Sequence, residues 1–281
     1  MFYSIMLATL IAVLPTSPAA NLTKVAARGQ GGELKLTNVR LTIGELGGPR
    51  PTTKLLPGDV LFIGYDINGL GIDGDGTAKY KMSMEVRDGA DKAIFKQDPR
   101  ELVDFVPLRG NSIPARAFIT IGLDQDAGNY TCKIKVEDPK VKGKEDTVTV
   151  KFEVTKREFG IVAVYPSHDE RGTFAAPTTG VVGQTVFVQF SVASFQRDAK
   201  TKQPNIELQF QLLDDKGTPT LEKPRTHIQD SGVEAADGAF GMRFPVFMNR
   251  TGKFTVQLTA TDKVANKKVT YELPLTILPA N

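Results

Sequence analysis

Between positions 33 and 278 the chain is built from short runs in which every second residue is apolar, separated by clusters of Gly, Pro, Asn and Asp. A period of two is what a pleated strand with one buried face requires, because successive side chains point to opposite sides. Tyr80, Met82, Met84 and Val86 fall on one side of such a strand, and Lys81, Ser83 and Glu85 on the other. Outside the first fourteen residues, no run of ten or more has the spacing of a helix. The pattern predicts an all-β chain of the sandwich or barrel kind, not one of alternating strands and helices.

The runs recur in order. Leu34 and Leu36 match Phe159 and Ile161, and Gly58, Val60 and Phe62 match Gly183, Thr185 and Phe187. Tyr80, Met82, Met84 and Val86 match Ile206, Leu208, Phe210 and Leu212; Gly128, Tyr130 and Cys132 match Gly252, Phe254 and Val256. Val150, Phe152 and Val154 match Leu273, Leu275 and Ile277, so that all pairs lie 123 to 126 residues apart. A repeat of that length means two copies of one unit. Two sheets facing each other bury both apolar faces, which predicts one sandwich over 33–154 and a second over 159–278. The link (Thr155, Lys156, Arg157, Glu158) contains no Gly or Pro and predicts limited relative motion.

The N-terminus changes the picture. Positions 5–14 form a mostly apolar run followed by Pro15, Thr16, Ser17, Pro18, Ala19 and Ala20. A run of about ten apolar residues ahead of small residues has the dimensions of a signal-peptide core and is too short for a membrane span. The expectation is a signal peptide at 1–20, a linker at 21–32, a secreted or periplasmic product, and no membrane span after cleavage. A net charge of +3 without basic tracts argues against nucleic acid as a partner. Cys132 is the single cysteine, so no intramolecular disulfide can form and stability rests on burial.

The run Asp126-Ala-Gly128-Asn-Tyr130-Thr-Cys132 resembles the D-x-G-x-Y-x-C signature of immunoglobulin domains, where a Tyr returns its hydroxyl to nearby backbone and locks a corner. The resemblance implies that Gly128 provides the turn and that Cys132 points into the core. The second copy keeps an apolar version, with Phe254 and Val256, and its continuation from Thr259 to Asn266 looks like the corresponding turn of bacterial immunoglobulin-like and cadherin-like surface repeats. The chain departs from the antibody pattern in having no second Cys and no Trp. The resemblance implies two tandem antiparallel immunoglobulin-like β-sandwiches.

Candidate chemistry is sparse. His168 and His227 are the only histidines, and no nucleophile elbow, zinc motif or phosphate loop is present. The reading is that the chain is no enzyme and has no cofactor. Asp66, Asn68, Asp73 and Asp75 gather oxygens in one loop, yet Asp-Gly and Asn-Gly pairs are turn chemistry, so no metal is assigned. In this architecture loops at one end carry binding. Loops 66–77 and 138–146 are expected to meet at the tip of the first sandwich, with Asp66, Asn68, Asp73, Asp75, Lys140, Lys142 and Lys144 as binding candidates. At the domain junction, Asp88, Asp91, Asp124 and Asp126 are expected to face Arg197, Lys200, Lys202, Lys263, Lys267 and Lys268. The leading functional expectation is an exported non-catalytic binding or adhesion module of the cell envelope or exterior, meeting an envelope protein or glycan. A periplasmic chaperone-like role and a purely structural spacer are the alternatives.

Overall fold

The computed structural model describes residues 32–108 and 110–280; the expected signal segment, and all of the expected linker except Gly32, lie outside the described residues. The described residues form sixteen strands and no helix, eight strands in each half. In the first half they are β1 (Lys35–Thr42), β2 (Lys54–Leu55), β3 (Val60–Asn68), β4 (Thr77–Arg87), β5 (Ala93–Phe105), β6 (Ser112–Thr120), β7 (Gly128–Glu137) and β8 (Glu145–Val154). In the second they are β9 (Gly160–Ser167), β10 (Thr179–Val181), β11 (Thr185–Ala193), β12 (Ile206–Leu213), β13 (Arg225–Gln229), β14 (Ala239–Phe247), β15 (Gly252–Asp262) and β16 (Lys267–Leu278).

The two halves share one topology. Sheets β1-β3-β6 and β2-β8-β7-β4-β5 face each other in the first, and β9-β11-β14 and β10-β16-β15-β12-β13 in the second. Adding eight to each strand number converts one half into the other, so the sequence repeat is a structural one. All pairings are antiparallel except β2 with β8 and β10 with β16. The protein is therefore an all-β molecule of two β-sandwiches. The correspondence extends to single dihedrals: Gly58 and Gly183 both sit at φ 94°, a left-handed turn conformation open to glycine.

Period-two patterning places the core. Leu61, Ile63, Tyr65 and Ile67 of β3 are buried against Ala78, Met84 and Val86 of β4 and Cys132, Ile134 and Val136 of β7. The second core repeats this with Val186, Val188, Phe190 and Val192 against Leu208, Phe210, Val256 and Leu258. Cys132 is fully buried, and burial pushes its thiol up to about 12.

Tyr130 closes the corner that the sequence motif implied. Its hydroxyl donates to the Asp126 carbonyl at 2.7 Å and accepts from Gln125 Nε2 at 2.8 Å, while its ring stacks on Phe152. Phe254 is buried at the equivalent place in the second sandwich, under the Arg250 guanidinium. Gly128 differs from expectation. It is the first residue of β7 and its φ lies outside the left-handed range, so it is not the turn-maker; its counterpart Gly252 does have φ 139°.

Candidate functional site

The tip of the first sandwich forms as a locked pair of loops. Lys140 Nζ reaches Asp73 Oδ1 at 2.5 Å, and Lys144 Nζ donates to the Gly69 carbonyl at 2.6 Å. Lys144 also pairs with the buried Asp138 at 3.4 Å. Loops 66–77 and 138–146 are thus in contact. The oxygens do not converge, however. Asp66 holds Asn38 and Arg40, Asn68 donates to Thr37, and Asp75 accepts the Thr77 amide, each toward a different neighbour. The Thr77 amide holds the Asp75 carboxyl below its usual range. Lys142 is exposed.

The acidic and basic sets assigned to the junction are not brought together: among the described residues no ion pair links them. Asp88 accepts the amides of Ala90 and Lys92 within its own turn, and Asp91 pairs with Arg87. Asp124 is exposed, and the Asp126 carbonyl serves Tyr130. Arg197 spends its guanidinium on four carbonyls, those of Lys202, Val233, Glu234 and Asp237. Lys263 pairs with Glu207 at 2.7 Å, whereas Lys200, Lys202, Lys267 and Lys268 are exposed. Exposed charges gain little from a distant partner, so each loop satisfies its own.

The junction is held instead by a buried pair absent from those expectations. Arg50 Nη2 meets Asp59 Oδ2 at 2.5 Å, both side chains only 9% exposed. Asp59 Oδ1 accepts the Val60 amide and, across the boundary, the amide of Ala163 at 3.0 Å. Ala163 is available because β9 carries a bulge there, with φ 51°, that frees it from the ladder. Ile43 packs into the second core, and the Gly48 amide donates to Thr178 Oγ1. The chain between β1 and β2 thus docks on the second sandwich.

A cleft that reaches the core was missed by sequence reasoning. On one flank of the first sandwich, between edge strands β5 and β6, a cleft of about 650 Å³ opens from the surface to the core. Its floor is Met84, Val86, Tyr130, Phe152 and Val154, all buried. Phe95 and Arg100 of β5 form one lip, Arg116 and Phe118 of β6 the other. The cleft exists because β5 does not plug it. Phe95, Gln97 and Arg100 lie directly opposite Val86, Met84 and Met82, on the core-facing side, so two of three closing positions are long and polar. The sequence signal was Pro99: a bulge at that point shifts the phase of the strand, so that Gln97 and Arg100 face the same way three residues apart.

No known family model matches the chain, and no curated protein sequence matches it. Among solved structures it is similar to the crystal structure of red sea bream transglutaminase, at 12% identity and a TM-score of 0.27, covering 88% of this chain and 31% of that one. The expectation that the chain is no enzyme is corrected by this comparison and withdrawn, since the solved structure is that of an enzyme. At this level of likeness the comparison assigns this chain neither an activity nor a fold; the two β-sandwiches stand on the strand pairing described above.

Proposed function

We propose that the protein is an exported binding module of the cell envelope or its exterior, secreted or periplasmic, built from two immunoglobulin-like sandwiches of the cadherin-like repeat kind, with the flank cleft of the first sandwich as its ligand site. The cleft carries the reading. A well-packed sandwich closes its flanks to interior density, whereas this one leaves a mostly apolar cavity in the size range of small-molecule sites, about 300–1,000 Å³. Export rests on the apolar run at 5–14 and the small residues after it.

The test is native mass spectrometry on the full chain recovered from its own cells, with N-terminal sequencing. A start near Ala20 or Asn21 and a retained species that disappears in Gln97→Trp, which fills the mouth, support the reading. An intact Met1 in a cytoplasmic fraction, or retention indifferent to the plug, overturns it. The buried Arg50–Asp59 pair and the docked chain between β1 and β2 favour a second role, as a stiff spacer between envelope partners.

A further inference from the structure

We infer that the flank cleft of the first sandwich binds a linear amphiphile, an apolar chain ending in a single anionic head, with the chain on the core floor and the head on Arg100. This rests on the reading of the cleft as a ligand site and names what it takes.

Three observations point to that chemistry. The floor is apolar and includes Met84, with Met82 beside it; unbranched thioether side chains adapt to an irregular or variable chain. Arg100 stands on the core-facing side of its strand, opposite Met82, and has no ion-pair partner among the described residues. A guanidinium at an apolar mouth is suited to carboxylate or phosphate, which it meets with two parallel donors. Arg116 on the facing lip is already engaged by Glu45 at 3.1 Å, which leaves Arg100 as the head-group contact.

The obvious rival occupant is an added β-strand, since both lips are sheet edges. The edges are poorly suited to it. β5 is broken by the bulge at Pro99, and β6 carries Pro114, which has no amide hydrogen to give. Bulges and prolines on edges oppose pairing with further strands. A small amphiphile needs neither edge.

The same flank is open in the second sandwich, where a cleft of about 740 Å³ has Leu212, Phe254 and Ile277 at the places of Val86, Tyr130 and Val154. Lys223, Arg225 and Arg250 surround it. The apolar floor therefore recurs in the second unit, whereas the place of Arg100, opposite Leu208, is taken by His227.

Isothermal titration of the full chain with decanoate, decyl phosphate, decanol and inorganic phosphate tests the inference. Decanoate and decyl phosphate are expected to bind, with decanol and inorganic phosphate each at least about tenfold weaker, the scale of a charge-assisted contact added to chain burial. Arg100→Gln is expected to reduce decanoate to the level of decanol, Arg100→Lys to retain part of the difference, and Gln97→Trp to abolish binding of every chain. Unchanged melting temperatures in these surface variants exclude misfolding as the cause. Equal binding of decanoate and decanol, with both lost in Gln97→Trp, overturns the anionic head while leaving the cleft as a ligand site. Decanoate binding unaffected by Gln97→Trp overturns the site itself. Inorganic phosphate as strong as decyl phosphate shows an anion site without a chain, and a Val/Thr-rich decapeptide that binds where decanoate does not shows strand addition; either result refutes the amphiphile.

Discussion

Asp59 Oδ1 of the first sandwich accepts the backbone amide of Ala163 in the second at 3.0 Å, while its other oxygen holds Arg50. One carboxylate therefore ties the chain that docks on the second domain to the bulge that receives it. Removing it strands a nearly buried guanidinium, which typically costs about 3–5 kcal/mol. Asp59→Ala is expected to lower stability by about 3 kcal/mol in denaturant unfolding and to broaden the interdomain distances seen by small-angle scattering. A variant as stable and as narrow as the parent would show that the pair contributes nothing to the junction.

Cys132 lies between Val86 and Val150 in its sheet. Cys132→Val is close to isosteric and is expected to cost under about 1.5 kcal/mol. Burial raises the thiol to about 12, above the unfolded value of about 8.5. The unfolded chain then ionises first, so the thiol's contribution is complete below about pH 8.5 and is lost as pH rises from there toward 12. Stability measured from pH 8 to 11 is expected to fall less steeply in Cys132→Val, and thiol labelling of the folded parent to be slow. Fast labelling at neutral pH would contradict the burial.

Asp169 organises its loop by accepting the amides of Phe174, Arg171 and Thr173. The Phe174 amide first, then those of Thr173 and Arg171, hold the carboxyl below its usual range. Because the folded value is depressed, the stabilisation is present above the unfolded value of about 3.9 and is lost as pH falls through the lower folded one. Asp169→Asn is expected to flatten the pH dependence of stability below about pH 4 and to leave it unchanged near pH 7 in slope. The same acid slope in parent and variant would remove Asp169 from the account.

Tyr130→Phe tests the corner. The equivalent Phe254 shows that a ring without hydroxyl fits the position, so only the hydrogen bonds to Asp126 and Gln125 are lost, about 1 kcal/mol. A loss above about 3 kcal/mol would mean that the ring itself had moved.

The strands were legible because apolar residues alternate along β3, β4, β7 and their copies, and the repeat was legible because those same residues set the offset. Tyr130 was legible because its motif is local, lying within five residues of both hydrogen-bond partners. The junction was not, for two reasons. Arg197 is satisfied by four backbone carbonyls, which no spacing of side-chain charges reveals. Ile43 and Arg50 belong to a stretch between strands that matched nothing in the other half. The cleft escaped because the bulge beside Pro99 breaks the period of two, so a strand with Gln97 and Arg100 facing inward reads as having no face at all.

The bulge of β9 has a twin: Asn38 in β1 also sits at φ 51° and also interrupts its ladder. The irregularity is therefore common to both copies, but Asn38 meets Asp66 of its own sandwich through its side chain, whereas Ala163 meets Asp59 of the other sandwich through its backbone amide. At the place of Asp59 the second copy has Gln184, whose side chain is committed to the Val181 amide. The halves have become a plug and a socket and can no longer exchange places. A chain with the two sandwiches in reverse order would bring the neutral Gln184 to the bulge at Asn38, and the carboxylate contact between the sandwiches would have no counterpart.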